Sequence, residues 1–132
     1  MYSFADVRML VVDDEELLRE ILAETFSMYG AQVDQARGGH EALRKLQASK
    51  DKPYDLLITD VRMPEGDGLG LLANLQSLDL PPLKIFVCSA YNDLNAQKIR
   101  DLNILKVFNK PFQLDDMLRD VFDFYKQRMP GA

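Results

Sequence analysis

Leu56-Leu57-Ile58-Thr59-Asp60-Val61-Arg62-Met63-Pro64-Glu65-Gly66-Asp67-Gly68 is the stretch whose reading decides the fold. Leu56, Leu57 and Ile58 form a short apolar run with Tyr54 and Asp55 behind it. A run this short, bounded by turn residues, predicts a strand buried on both faces. It stops on a carboxylate, Asp60, and Pro64, Gly66 and Gly68 then mark a loop. An acid at the carboxyl end of a buried strand, facing a loop, stands where open α/β sheets carry their chemistry.

Working outward, Met9 to Val12 is a second apolar run, and it stops on Asp13-Asp14-Glu15-Glu16. Four acids suit the first turn of a helix, where the dipole favours negative charge. Leu17, Leu18, Ile21, Leu22, Thr25 and Phe26 recur at helical spacing, which predicts a helix over 15–29 stopped by Gly30. Residues 31–36 alternate weakly around Val33 and read as a short edge strand. After Gly38-Gly39, a helix over 40–49 turns Ala42, Leu43 and Leu46 inward, and 50–53 is a polar loop.

Beyond the central stretch, Asp67 can cap a helix carrying Leu69, Leu71, Leu72, Leu75 and Leu78, which Pro81-Pro82 ends. Ile85 to Cys88 is a fourth apolar run, closing on Ser89-Ala90. Leu94, Ile99 and Leu102 anchor a weak helix over 92–102. A fifth strand over 104–108 leads into Asn109-Lys110-Pro111-Phe112, and a last helix over 114–125 carries Leu114, Met117, Leu118, Val121, Phe122 and Tyr125. Strand then helix, five times over, predicts an α/β domain with a parallel sheet and right-handed crossovers. Few residues follow the last helix, so one domain over 1–132 is expected.

Composition sets the class. The 132 residues are 47% hydrophobic and 28% charged, which is a globular balance. A net charge of −5 argues against nucleic-acid binding through a basic face. No apolar run approaches the roughly 20 residues of a membrane span. The single cysteine, Cys88, excludes an internal disulfide and sits in an apolar strand as a buried thiol. A cytoplasmic setting is expected.

In a parallel sheet all carboxyl ends share one edge. Four of the five strands would bring polar groups there: Asp13 and Asp14, Asp60, Ser89 and Lys110. Two carboxylates about 4 Å apart repel by roughly 4 kcal/mol at an effective dielectric near 20. Lys110 supplies one positive charge against three acids. A divalent cation is the natural remainder, and oxygen-only ligands suit magnesium, which keeps waters and favours phosphate substrates. No cluster of histidines or cysteines offers a zinc or copper site.

These features resemble the receiver domain of response regulators in two-component signalling, over essentially the whole chain. The resemblance rests on Asp13-Asp14, on Asp60 followed by Met63-Pro64 and Gly66-Asp67-Gly68, on Ser89-Ala90, and on Lys110-Pro111-Phe112. It implies a flavodoxin-like (βα)5 doubly wound sheet with strand order 2-1-3-4-5. It implies that Asp60 takes a phosphoryl group from a histidine kinase or a histidine phosphotransfer protein. Asp14 would hold Mg2+ (or Mn2+) directly, with Asp13, Asp60 and the main-chain carbonyl of Arg62. Lys110 would pair with a phosphoryl oxygen and Ser89 would donate to one. Output would pass through the surface of the fourth helix, fifth strand and last helix to a partner or fused domain. The last two helices could also pair with a second copy, although no pattern compels it. Lys110-Pro111 would be cis.

Blander readings stand beside these. Glu15 and Glu16 read as helix-start charges, and His40 as a surface residue. The chain also departs from the family. Where many members carry Tyr or Phe three positions before the lysine, it has Val107, with Phe108 expected on the opposite sheet face. Tyr91 is a candidate replacement. Arg62 and Tyr91 would flank the phosphoryl group and slow attack by water. Two other functions compete: a magnesium phosphatase of the haloacid dehalogenase type, and a flavodoxin-like binding module. The first wants Asp-x-Asp after the first strand, where this chain has an adjacent pair. The second wants a Ser-, Thr- or Gly-rich phosphate loop, where this chain has four acids.

Overall fold

A computed structural model describes residues 2–90 and 94–127. The elements alternate as expected: β1 (Arg8–Val12), α1 (Glu16–Met28), β2 (Gln32–Ala36), α2 (Gly39–Gln47), β3 (Leu56–Asp60), α3 (Gly68–Gln76), β4 (Lys84–Ser89), α4 (Ala96–Asp101), β5 (Ile104–Asn109) and α5 (Leu114–Gln127). The sheet is parallel, in the order β2-β1-β3-β4-β5. The central strand is therefore β3, and all five of its residues are buried. No described helix is long and apolar enough to cross a membrane.

Alternation along the inner strands divides the core into two layers. Met9, Val11, Leu56, Ile58, Phe86 and Cys88 join Leu22 and Phe26 of α1 and Met117, Leu118 and Val121 of α5. Leu10, Val12, Leu57, Ile85 and Val87 join Ala42 and Leu46 of α2 and Leu71, Leu72 and Leu75 of α3. Side chains one apart point to opposite faces of a strand, so each inner strand fills both layers. That is why Leu56-Leu57-Ile58 is apolar without a gap. The same alternation puts Phe108 in the first layer and Val107, half-buried, against the second.

The structure differs from the sequence expectations at some ends. The fourth helix starts at Ala96 and not 92, because the Asn95 side chain accepts the Lys98 N–H and so caps it. Residues 91–93, including Tyr91, the candidate replacement for the aromatic, lie outside the described residues. The α1 stripe is rotated: its buried residues are Arg19, Leu22, Ala23 and Phe26, whereas Leu17 is 72% exposed. The N-terminal segment also packs. Phe4 and Val7 are fully buried, and the Phe4 N–H donates to the Tyr29 carbonyl at 2.7 Å.

Candidate functional site

The carboxyl ends of β1, β3, β4 and β5 meet on one edge. Asp60 is the last residue of β3 and is only 6% exposed. Its Oδ1 accepts the Val61 N–H at 2.8 Å, and its Oδ2 faces Lys110 Nζ at 3.1 Å. Asp13, just past β1, is also buried; its Oδ1 accepts the Glu15 N–H at 2.9 Å and its Oδ2 lies 3.4 Å from Lys110 Nζ. Asp14 is exposed. One carboxylate oxygen from each of Asp13, Asp14 and Asp60 lies within 4.8 Å of the others.

Lys110 reaches this nest from the turn after β5. Its N–H donates to the Ser89 carbonyl at 2.8 Å, joining the ends of β4 and β5, and the Lys110–Pro111 bond is cis. A cavity of about 250 Å³ opens above the acids, lined by Asp14, Glu15, Asp60, Val61, Arg62, Ala90 and Lys110. Of the expected residues, Asp14, Asp60, Arg62 and Lys110 line it, and Asp13 joins through Lys110. Ser89 is buried at the end of β4 and does not line the cavity. Cys88 is buried beside it, and burial pushes its thiol up to about 12, which keeps it protonated.

The electrostatics are unbalanced. Burial raises the Asp60 carboxyl above its ordinary value, Lys110 opposes this, and the Asp14 charge adds to it. Burial also raises Asp13, and the Asp60 charge adds to the effect. Burial works against the Lys110 ammonium, but Asp13 and Asp60 outweigh it and its pKa is raised. Three acids around one ammonium leave a surplus of negative charge. The donor set is oxygen only, which fits a hard divalent ion such as magnesium and does not suit zinc or copper.

The loop after Asp60 is braced. The Gly39 N–H donates to the Gly66 carbonyl at 2.7 Å, and the His40 N–H to the Glu65 carbonyl at 3.1 Å, so α2 holds its far side. Gly66 takes φ +90°, open to glycine at little cost. Asp67 caps α3 by accepting the Gly70 N–H at 2.7 Å. His40 is exposed, as expected of a surface residue.

Sequence reasoning missed three contributors. Glu15 reads as a helix-start charge, yet its carboxylate lies 3.8 Å from Lys110 Nζ and lines the cavity. Arg19 is buried and donates to the Asp13 carbonyl at 3.0 Å. Gly68 packs directly on the Asp60 carbonyl. Only Arg19 had a findable signal: it stands three and four positions before Leu22 and Ala23 on the buried stripe.

The family model described as the response regulator receiver domain matches residues 9–122. The chain is 33% identical over 119 residues to sporulation initiation phosphotransferase F of Bacillus subtilis (strain 168), covering 89% of this chain and 92% of that one. It is 31% identical over 112 residues to the transcriptional regulatory protein PdtaR of Mycobacterium tuberculosis (strain CDC 1551 / Oshkosh), covering 84% of this chain and 53% of that protein, and so spans about half of that relative. Among solved structures it is similar to the response regulator protein TrrA of Thermotoga maritima in complex with Mg(2+)-BeF, at 32% identity and a TM-score of 0.69, covering 87% and 96% of the two chains. The phosphatase and flavodoxin-like readings are not favoured by these likenesses.

Proposed function

The chain belongs to the response regulator receiver family, and from that premise we propose that Asp60 takes a phosphoryl group from the phosphohistidine of a sensor histidine kinase or a histidine phosphotransfer protein. The observation that carries this reading is Asp60 itself: a buried carboxylate opening into a cavity, paired at 3.1 Å with Lys110. In the transfer an Asp60 oxygen bonds to phosphorus as the phosphorus–nitrogen bond breaks, and the bonding pair leaves with the imidazole. An ionised carboxylate needs no base for this. Asp13, Asp14, Asp60 and the Arg62 main-chain carbonyl would hold Mg2+ (or Mn2+), which would offset the charge on the phosphoryl oxygens. Lys110 turns from the Asp60 carboxylate to a phosphoryl oxygen, and the Ser89 hydroxyl donates to another.

The product is a signalling state and not a released compound. New charge and acceptor oxygens at Asp60 draw on Lys110 and Ser89. Both sit where β4 and β5 end, so the surface of α4, β5 and α5 shifts with them. With Val107 in place of an aromatic, that shift does not use an aromatic turnover at this position. Residues 1–132 act as one receiver in the cytoplasm, with an output partner, a fused domain or a second copy reading the surface.

Incubation with acetyl phosphate and magnesium, read by intact mass, tests this directly. One added phosphoryl group is expected. Steady phosphate release from many esters, or flavin fluorescence in the purified chain, would replace the reading with a phosphatase or a flavin carrier. A second measurement concerns lifetime. Arg62 lines the cavity, where its side chain would stand in the way of attacking water. Arg62→Ala is expected to shorten the phospho-Asp60 half-life by about 3- to 10-fold, a loss of roughly 1 kcal/mol of barrier. An unchanged half-life removes that role. The matching role for Tyr91 is tested by Tyr91→Ala in the same assay.

A further inference from the structure

Arg19 is the one cationic side chain that is buried among the described residues. It occupies a place on the α1 stripe where an apolar residue would pack against Leu22, Ala23 and Phe26. Its partners are few. Nη1 donates to the Asp13 carbonyl at 3.0 Å, Nε donates to Gln35 Oε1 on β2 at 2.9 Å, and Nη2 lies 3.9 Å from the exposed Glu16 carboxylate. Removing a charge from water is costly unless its hydrogen bonds are good. Here the two short bonds go to neutral oxygens, one of them on the backbone of an acid in the nest.

Asp13 has every polar group committed. Its N–H donates to the Ala36 carbonyl at 3.1 Å, its two carboxylate oxygens serve the Glu15 N–H and Lys110, and its carbonyl accepts from Arg19. That carbonyl belongs to the Asp13–Asp14 peptide. A peptide unit is planar, so holding its oxygen sets where the chain delivers Asp14. Asp14 is exposed, and the backbone decides where its carboxylate stands. The guanidinium is in turn oriented from β2 by Gln35.

We infer that Arg19 is a positioning residue for the divalent ion: its fork, aimed by Gln35, holds the Asp13–Asp14 peptide so that both carboxylates converge with Asp60. The inference rests on the metal-assisted reading above. It concerns ion affinity in the resting protein, before any phosphoryl group arrives.

The test is a calorimetric titration of the full chain with magnesium chloride, without phosphoryl donor, beside thermal unfolding in chelator. Arg19→Met is expected to weaken magnesium binding by about 10- to 100-fold, the range typical of removing an outer-shell partner. Gln35→Met is expected to weaken it in the same direction by a smaller factor. Arg19→Lys should not restore it, because lysine has no planar fork to hold two acceptors at once. Variants that melt lower yet bind magnesium as wild type does would make Arg19 a helix–strand tie and overturn the inference. So would Arg19→Lys binding as wild type does, since charge alone would then suffice. If Arg19→Met does not fold, Gln35→Met on the edge strand decides. Failure of the wild type to take up magnesium defeats the metal-assisted reading itself; uptake unchanged across the variants defeats only the role of Arg19.

Discussion

Asp60→Asn is expected to abolish phosphoryl uptake and at the same time to raise the unfolding temperature of the metal-free chain. The first effect follows from chemistry. An amide oxygen carries no full charge and its nitrogen lone pair is delocalised, so no acyl phosphate forms. Intact mass after acetyl phosphate and magnesium should show no added phosphoryl group, and chelator should do the same to the wild type. The second effect follows from the unbalanced nest. Asp60 is buried, and its carboxyl is raised first by that burial and then by the Asp14 charge, against the pull of Lys110. Asparagine removes one of three negative charges and leaves Lys110 paired with Asp13. A gain of about 1 kcal/mol, or roughly 3–5 °C for a domain of this size, is expected. Loss of uptake together with a lower melting point would mean that Asp60 is a structural partner of Lys110.

The pH dependence has a definite sign. A group whose folded pKa exceeds its unfolded value contributes stability that is complete below the unfolded pKa and is lost as pH rises through the folded one. Asp13 and Asp60 are both raised from 3.8, so their contribution falls as pH climbs from about 4 towards neutrality. Asp34 is lowered: burial opposes this, but the Tyr54 hydroxyl and Arg8 prevail. Glu41 is lowered chiefly by the Arg37 N–H, and Asp120 chiefly by Lys106. These three work in the opposite direction, being lost as pH falls. The site is therefore read from the difference between wild type and Asp60→Asn, which should widen from pH 4 to pH 7 in chelator, on the order of 1 kcal/mol. Magnesium should narrow it, because an ion that binds only the folded chain stabilises that chain.

How much of this was legible in the sequence depends on where each residue sits. The central strand was readable because β3 is covered on both faces, which demands an unbroken apolar run ending at Asp60. The edge strand β2 has one strongly apolar residue, Val33, since its outer side has no neighbour. Phe4 and Val7 were not readable. They precede the first strand, follow no helical or strand period, and owe their burial to α1 and α5 from much later in the chain. In the site, Asp13, Asp14, Asp60 and Lys110 announced themselves because charged residues ending apolar runs are conspicuous. Glu15 lay inside an acid-rich helix start where charges are ordinary, and only its distance to Lys110 separates it from solvated neighbours. Arg19 shares the spacing of Leu22 and Ala23, which marks its face but not its bond to the Asp13 carbonyl. Gly68 stood in the Gly66-Asp67-Gly68 motif, but nothing in the sequence set it against the Asp60 carbonyl.

Gly68→Ala is expected to be the most damaging one-atom addition near the site. A Cβ there would stand 2.0 Å from the Asp60 carbonyl oxygen and 3.2 Å from the Val61 Cα. Both are backbone, and the Gly68 N–H donates to the Val61 carbonyl at 2.7 Å, so the start of α3 is held against the end of β3. No rotamer change relieves such an overlap. Either the helix backs away, losing that bond and packing of Leu71 and Leu72, or the strand end moves with Asp60. Overpacking of this kind costs about 3 kcal/mol, or roughly 10 °C. The rate should fall as well, because a displacement of about 1 Å at reacting atoms can cost on the order of 100-fold. Gly70→Ala is the control. Its Cβ would meet only the Asp67 side chain at 3.1 Å, which can yield, and alanine in a helix gains about 0.5–1 kcal/mol over glycine. Melting curves and acetyl phosphate labelling rates of the two variants should therefore diverge, Gly68→Ala falling on both and Gly70→Ala holding near wild type. Equal behaviour would mean that β3 and α3 do not meet as closely as the structure places them.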